Sequence, residues 1–123
     1  MDAKPFQASV TFTPDAAPNT AVIELSGDIN ILADARMSAA YDEAEKHSSP
    51  MILLDFSRAN YINSTGIALI VGLLARARKN KRELVVSGLS DHYKEIFQIT
   101  RLSDFMKIYP NEKAALSDAA HRS

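Results

Sequence analysis

The chain has 123 residues, 46% of them hydrophobic and 24% charged, with 14 basic against 15 acidic side chains; that is the make-up of one ordinary globular domain with no overall pull toward nucleic acid or an anionic membrane. It contains no Cys, which removes disulfides, thiolate metal sites and a Cys nucleophile. His47, His92 and His121 lack metal-ligand spacing, no apolar run nears the ~18 residues of a membrane span, and MDAKPFQASV lacks the apolar core of a signal peptide, so a cytoplasmic protein with no metal, no cofactor of its own and no membrane insertion is expected.

Phe6, Ala8, Val10 and Phe12 alternate with polar residues, the period of a half-buried strand. A turn-rich stretch, Pro14-Asp15-Ala16-Ala17-Pro18-Asn19, leads to a second alternation at Ala21, Ile23 and Leu25, so residues 6–26 read as two hairpin-linked strands, the second broken by Gly27-Asp28. Asn30 then has the chemistry of a helix cap, and Ala33, Met37, Ala40 and Ala44 follow at helical spacing to about His47, where Ser48-Ser49-Pro50 stops the helix. Met51-Ile52-Leu53-Leu54 is a continuous apolar run, as in a strand buried on both faces, and is expected to end at Asp55. A second helix is predicted over 64–79, with Ile67, Ile70, Val71 and Leu74 as its core stripe and Ala68, Leu69 and Leu73 off it. Leu84-Val85-Val86 reads as another buried strand closed by Ser87-Gly88. Ser90 caps a short helix carrying Tyr93, Ile96 and Phe97; Met106-Lys107-Ile108-Tyr109 is a last strand, and Pro110-Asn111 opens a final helix.

The predicted order is ββαβαβαβα. Strands alternating with helices call for an α/β fold: a mostly parallel sheet with an antiparallel N-terminal edge strand and helices packed against it. The whole chain, 1–123, is read as one domain with its core at about 6–118. In such sheets sites gather at the carboxyl ends of strands, and two such corners stand out, Gly27-Asp28-Ile29-Asn30 and the stretch 55–66.

The second corner runs Asp55-Phe56-Ser57-Arg58-Ala59-Asn60-Tyr61-Ile62-Asn63-Ser64-Thr65-Gly66. Ser64 lies at or beside the helix N-cap, near amide N–H groups with no intrahelical partner. On local chemistry Asn63-Ser64-Thr65 reads as a plain helix cap. It also reads as a place that tolerates an anion, because orphan donors and macrodipole both favour negative charge. A phosphoryl group there adds about -1.5 to -2 charge and three acceptor oxygens. Gly66, lacking a side chain, is expected to leave the Ser64 hydroxyl open to another protein's active site.

These residues resemble the signature of STAS domains, in particular the anti-sigma factor antagonists of bacterial partner-switching systems. Asp55-Phe56-Ser57, then Ile62-Asn63-Ser64-Thr65-Gly66-Ile67, matches the family's strand exit and helix-opening corner. Gly27-Asp28-Ile29-Asn30 matches its earlier corner, and Leu84-Val85-Val86-Ser87-Gly88-Leu89 its later strand exit. The resemblance implies that Ser64 is phosphorylated by a cognate anti-sigma factor/serine kinase, with Thr65 as the next acceptor. It implies that the unmodified protein binds that kinase, that phosphorylation breaks the complex, and that a serine phosphatase resets it. Asp28, Asn30, Asn63, Ser64, Thr65 and Gly66 are the partner-binding residues it suggests; Ala68, Leu69 and Leu73, off the core stripe of the helix, read equally as a helix packed between neighbours and as a partner-binding face beside the acceptor. Asn63 stands where many members have Asp, which keeps the hydrogen-bonding shape and loses a charge.

Two other readings belong to different classes. A constitutive STAS subunit of a membrane transport complex has this fold and needs no phosphoacceptor. A small nucleotide-binding enzyme needs a phosphate loop, and neither GxGxxG nor GxxxxGK[ST] occurs. No Ser/His/Asp constellation is readable from spacing, so a non-enzyme is expected, Ser64 being a substrate of chemistry performed by a partner that brings Mg-ATP. The basic run 76–82 could suggest nucleic acid; as a helix end complementing the C-terminal dipole it needs no such partner, and none is expected. Asp55 is expected to accept loop amides, with His92 on the surface and Tyr93 in the core.

Overall fold

The computed structural model describes residues 5–13, 20–46 and 50–122. The predicted turn at 14–19 and the helix stop at 47–49 lie outside them. Five strands, β1 (Gln7–Phe12), β2 (Thr20–Ile29), β3 (Met51–Ile62), β4 (Glu83–Ser87) and β5 (Ile108–Tyr109), form one sheet in the order β1-β2-β3-β4-β5. β1 pairs antiparallel with β2, and every other pair is parallel. Four α-helices connect or follow the strands: α1 (Asp34–Lys46), α2 (Ser64–Lys79), α3 (Asp91–Ile99) and α4 (Glu112–Arg122). The α/β order and the antiparallel edge are as the sequence predicts.

Alternation along the buried strands divides the core in two. Ile23, Leu25, Ile52, Leu54, Phe56, Leu84 and Val86 point to one face, where Met37, Tyr41 and Ala44 of α1, Ile70, Leu73 and Leu74 of α2, and Phe97 of α3 cover them. Val22, Met51, Leu53 and Val85 point to the other, where Ala115 and Ala119 of α4 lie on them. β2 and β3 are apolar on both faces because both faces are roofed.

Four local expectations are corrected. β2 is not broken at Gly27-Asp28; it runs on to Ile29, with Gly27 at a φ of 81° and a shift of register beside it. Gly27 supplies a backbone that a side chain would strain, so the strand bulges and continues. β3 does not end at Asp55 but extends to Ile62, paired with β2 through Ser26↔Arg58, Gly27↔Ala59, Asp28↔Tyr61 and Ile29↔Ile62. β4 pairs with β3 only as far as Asp55↔Ser87. β1 pairs with β2 only as far as Gln7↔Ser26, so beyond Ser26 and Arg58 the strands β2 and β3 project as a two-stranded ribbon, and the polar, largely exposed residues 57–61 do not signal a loop. The last strand is shorter than predicted, because Met106 turns into the core before β5 begins.

The fourth correction concerns α2, whose predicted bounds match. Its buried stripe is Ile70, Leu73, Leu74 and Ala77, at i, i+3, i+4 and i+7. Val71 is exposed and Ile67 half-buried. The stripe thus lies about one position from the expected one. Leu73 is a core residue at 5% exposure and does not belong to a surface for partners.

The basic run is partly a clasp between helices. Arg76 pairs with Asp42 and, at 2.8 Å, with Glu45 of α1, and its guanidinium lies 4.6 Å from the centre of the Tyr41 ring. Arg82 approaches the same Glu45 at 3.4 Å. Lys81 takes a φ of 59° just beyond α2, and the Arg82 amide reaches back to the Ala77 carbonyl at 2.8 Å, closing the helix.

The placement of α2 generates a paired expectation. Leu73→Ala removes buried methyl groups and should cost about 2–5 kcal/mol in urea unfolding. Gly72, one position away, has nothing within 4 Å of where a Cβ would sit. Gly72→Ala should therefore stabilise by about 0.5–1 kcal/mol through helix propensity. A stable Leu73→Ala with a destabilised Gly72→Ala would mean that α2 is rotated the other way.

Candidate functional site

The two corners singled out from sequence are neighbours because β2 and β3 end side by side at Ile29 and Ile62. After β2, the Asn30 side chain accepts the Leu32 amide at 2.9 Å and caps a single 3-10 turn, Ile31–Ala33, that leads into α1. After β3, Asn63 takes extended backbone and its Oδ1 accepts the Gly66 amide at 2.8 Å. Asn63, not Ser64, is therefore the N-cap of α2. Asn serves this role fully, since the cap needs an oxygen acceptor and not a charge. The ribbon leading to the corner is tied by Asn60, whose amide donates to Asp28 Oδ1 at 2.8 Å.

Ser64 follows as the first helical residue. It is exposed, and among the described residues its hydroxyl has no hydrogen-bond partner. Thr65 is half-buried and Ala68 exposed, with Leu69 partly covered. Asp28, Asn30 and Asn63 are half-buried beside them. The structure thus brings Asp28, Asn30, Asn63, Ser64, Thr65 and Ala68 to one end of the sheet.

Gly66 plays a different part from the one expected. It is buried, and a Cβ on it would stand 2.2 Å from the Ile29 carbonyl oxygen and 3.0 Å from Ile62 Cγ2. Its missing side chain lets the first turn of α2 sit directly on the ends of β2 and β3. The Asn63 amide donates to that same Ile29 carbonyl at 3.2 Å. Ser64 is open to a partner because it faces outward at the first helical position, not because Gly66 clears space for it.

The corner also carries Ile31, Leu32 and Tyr61, which sequence reasoning did not single out, and Val71, which it placed in the core stripe. Ile31 and Leu32 are 61% and 84% exposed, and Tyr61 and Val71 are more than two-fifths exposed. Large apolar side chains left in water at one end of the molecule make this corner a candidate interaction surface. Leu32 was findable: it falls out of register with the Ala33–Met37–Ala40–Ala44 stripe, among positions 36, 39 and 43, which are exposed. Tyr93, expected as a core residue, is half-buried, and its hydroxyl accepts the Ile62 amide at 2.9 Å.

Asp55 lies apart, roughly 20 Å down β3 by strand rise. Its Oδ1 accepts the Ser57 amide at 3.1 Å, the Ser57 hydroxyl at 2.9 Å and the Ser87 hydroxyl at 3.3 Å. It accepts a backbone amide as expected, and it helps hold β3 to β4. Glu112, at the start of α4, is raised above the usual carboxylate range by burial first and by the charges of Asp55 and Glu24 next. Among the described residues no group of three or more His, Cys, Asp or Glu is placed to hold a metal ion, and no helix is long and apolar enough to cross a membrane.

Two outcomes follow. Gly66→Ala should destabilise by about 1–3 kcal/mol, because the new methyl group must push α2 off the Ile29 carbonyl; an unchanged denaturant midpoint would contradict the close approach. A carboxyl whose pKa is raised by folding contributes stability below its unfolded value, and that contribution is lost as pH rises through the folded value. Glu112→Gln should therefore be more stable than wild type near pH 7, and the gap should close on acidification below about pH 4. Thermal melts across that range read it directly.

Residues 12–109 match the family model described as Mlab, STAS domain. The chain is 30% identical over 86 residues to the anti-sigma-B factor antagonist of Listeria monocytogenes, covering 70% of this chain and 75% of that protein. In fold it is similar to an anti-sigma factor antagonist from Mycobacterium paratuberculosis, at a TM-score of 0.78 and 17% identity, with 94% of each chain covered. It is also similar in fold to a sulfate transporter family protein from Wolinella succinogenes, at a TM-score of 0.72 and 18% identity, covering 81% of this chain and 84% of that one. With its helix-capped corner at the joined ends of two parallel strands and a family match across most of its length, the chain belongs to the STAS domain family.

Proposed function

We propose that this protein is an anti-sigma factor antagonist that switches partners through phosphorylation of Ser64. The observation that carries the reading is the state of that hydroxyl. It is exposed and unpaired, held at the first position of a capped helix, with exposed Ile31 and Leu32 on the adjoining 3-10 turn and exposed Val71 further along the same helix. Unmodified, this surface buries its apolar residues against an anti-sigma factor/serine kinase. The kinase supplies Mg-ATP and transfers the terminal phosphoryl group to Ser64 Oγ, whose proton leaves to a base of the kinase.

The added group changes fold and interface unequally. Within the protein it sits at a helix N-terminus, where an anion is favoured by about 0.3–1 kcal/mol. Against a partner it must be stripped of water in an apolar contact beside Asp28, a cost that can exceed several kcal/mol for an unpaired buried charge. The domain therefore stays folded while the complex comes apart, and a serine phosphatase restores the hydroxyl. The 30% identity to the Listeria antagonist supports this role.

The second reading is a constitutive subunit of a membrane transport complex, favoured by the likeness in fold to the Wolinella protein. Its partner contact would not depend on the state of Ser64. An open groove of about 590 Å³, lined in part by Ser9, Glu24, Arg36 and Arg58, does not reach the Ser64 corner.

Capture from native-host lysate with wild type, Ser64→Ala and Ser64→Asp as baits separates these readings. The switch expects a serine kinase held by the first two and lost by Ser64→Asp, with all three baits equally folded. Transporter subunits held equally by all three would contradict it. Leu32→Glu should also lose the kinase, by about 30-fold or more in affinity, the cost of disrupting a central apolar anchor. Its melting point should be unchanged, because Leu32 is exposed. Full binding by Leu32→Glu would put the contact surface elsewhere.

A further inference from the structure

We infer that Tyr93 is a positioning residue for phosphorylation of Ser64, acting through the backbone that precedes it. This inference rests on Ser64 being the acceptor, as proposed above. β4 stops pairing with β3 at Asp55, so the far end of β3 has no strand neighbour on that side. Successive amides of a strand point to opposite edges. The Asn63 amide points to β2 and donates to the Ile29 carbonyl at 3.2 Å. The Ile62 amide points the other way, to where β4 would be, and α3 supplies its acceptor instead: the Tyr93 hydroxyl at 2.9 Å.

The two amides immediately before Ser64 are thus pinned from opposite sides, one by β2 and one by α3. The Tyr93 end is itself fixed. Ser90 caps α3 by accepting the Tyr93 amide at 3.3 Å, and the Tyr93 ring packs on the core and against His92, with ring centres 4.9 Å apart. Without the hydroxyl, a part-buried Ile62 amide loses its partner and the peptide is free to tilt. The Asn63 cap is built on the next residue, and the Ser64 hydroxyl on the one after. A nucleophile displaced by even an ångström reacts more slowly. The docking residue Leu32 stands on another element, and Val71 lies about two turns along α2, next to the core residue Ile70, so both are unaffected. The loss therefore falls on the chemical step and not on association.

The test uses the full chain, the serine kinase captured by the wild-type protein, and Mg-ATP. Tyr93→Phe is compared with wild type and with Tyr109→Phe, which removes a hydroxyl bonded to Asp118 far from the corner. Tyr93→Phe should speed hydrogen exchange at the Ile62 amide about fivefold or more, the worth of one hydrogen bond. It should lower kcat for Ser64 phosphorylation by a similar factor, with KM within about twofold of wild type. Tyr109→Phe should leave kcat unchanged. Unchanged Ile62 exchange or unchanged kcat in Tyr93→Phe overturns the inference alone, as does an equal loss in Tyr109→Phe. Absence of phosphate on wild-type Ser64 brings down the switch itself, and the inference with it.

Discussion

The corner depends on one close contact, that of the first turn of α2 with the carbonyl of Ile29. A methyl group at position 66 would overlap that oxygen, so the sequence needs glycine there, and with glycine the helix starts directly on the ends of two strands. The rest follows geometrically. Asn63 is left between strand and helix, where its side chain caps and its amide bonds the same Ile29 carbonyl. Ser64 becomes the first helical residue, facing outward. The end of β2, which opens the 3-10 turn at Asn30, is brought against it.

A second set of contacts fixes the wider surface. The clasp of Arg76 and Arg82 on Asp42 and Glu45 ties the end of α2 to α1. Arg76 also lies over Tyr41, whose buried hydroxyl is pushed up to about 12, chiefly by burial. Exposed ion pairs alone are worth little. Here they act with the buried stripe of Ile70, Leu73, Leu74 and Ala77. Together these hold α2 beside α1, so that Leu32 and Val71 lie on neighbouring elements. Under the proposed switch, a phosphoryl group on Ser64 would meet a helix N-terminus that accepts its charge and an apolar rim that does not. That inequality is the physical basis of the proposed switch.

Much of this was legible in the chain. Apolar periodicity and short apolar runs located each strand and α-helix, though not the 3-10 turns; the bounds of α2 matched, and Asn30 and Ser90 were readable as caps from their chemistry. The ribbon was not legible, because residues 57–61 are largely solvent-exposed and carry no pattern of burial. Gly27 looked like a strand end and is a bulge, since local chemistry does not say whether a neighbouring strand continues. The face of α2 was misjudged because Ile67, Ile70, Val71, Leu73 and Leu74 offer two overlapping apolar stripes. Only the position of the sheet chooses between them. Gly66 was noticed for the wrong reason: a close approach involves a distant carbonyl that no local motif names. Tyr93 belongs to the same class, a tertiary hydrogen bond across 31 residues.

The most direct measurement of the account is the site of modification. The captured serine kinase and Mg-ATP are incubated with the purified protein, and the product is read by intact mass and by fragment sequencing. The account predicts a single phosphoryl group on Ser64 and release of the modified protein from the kinase. Phosphate confined to another residue, or a Ser64-phosphorylated protein that binds the kinase as tightly as before, would contradict it.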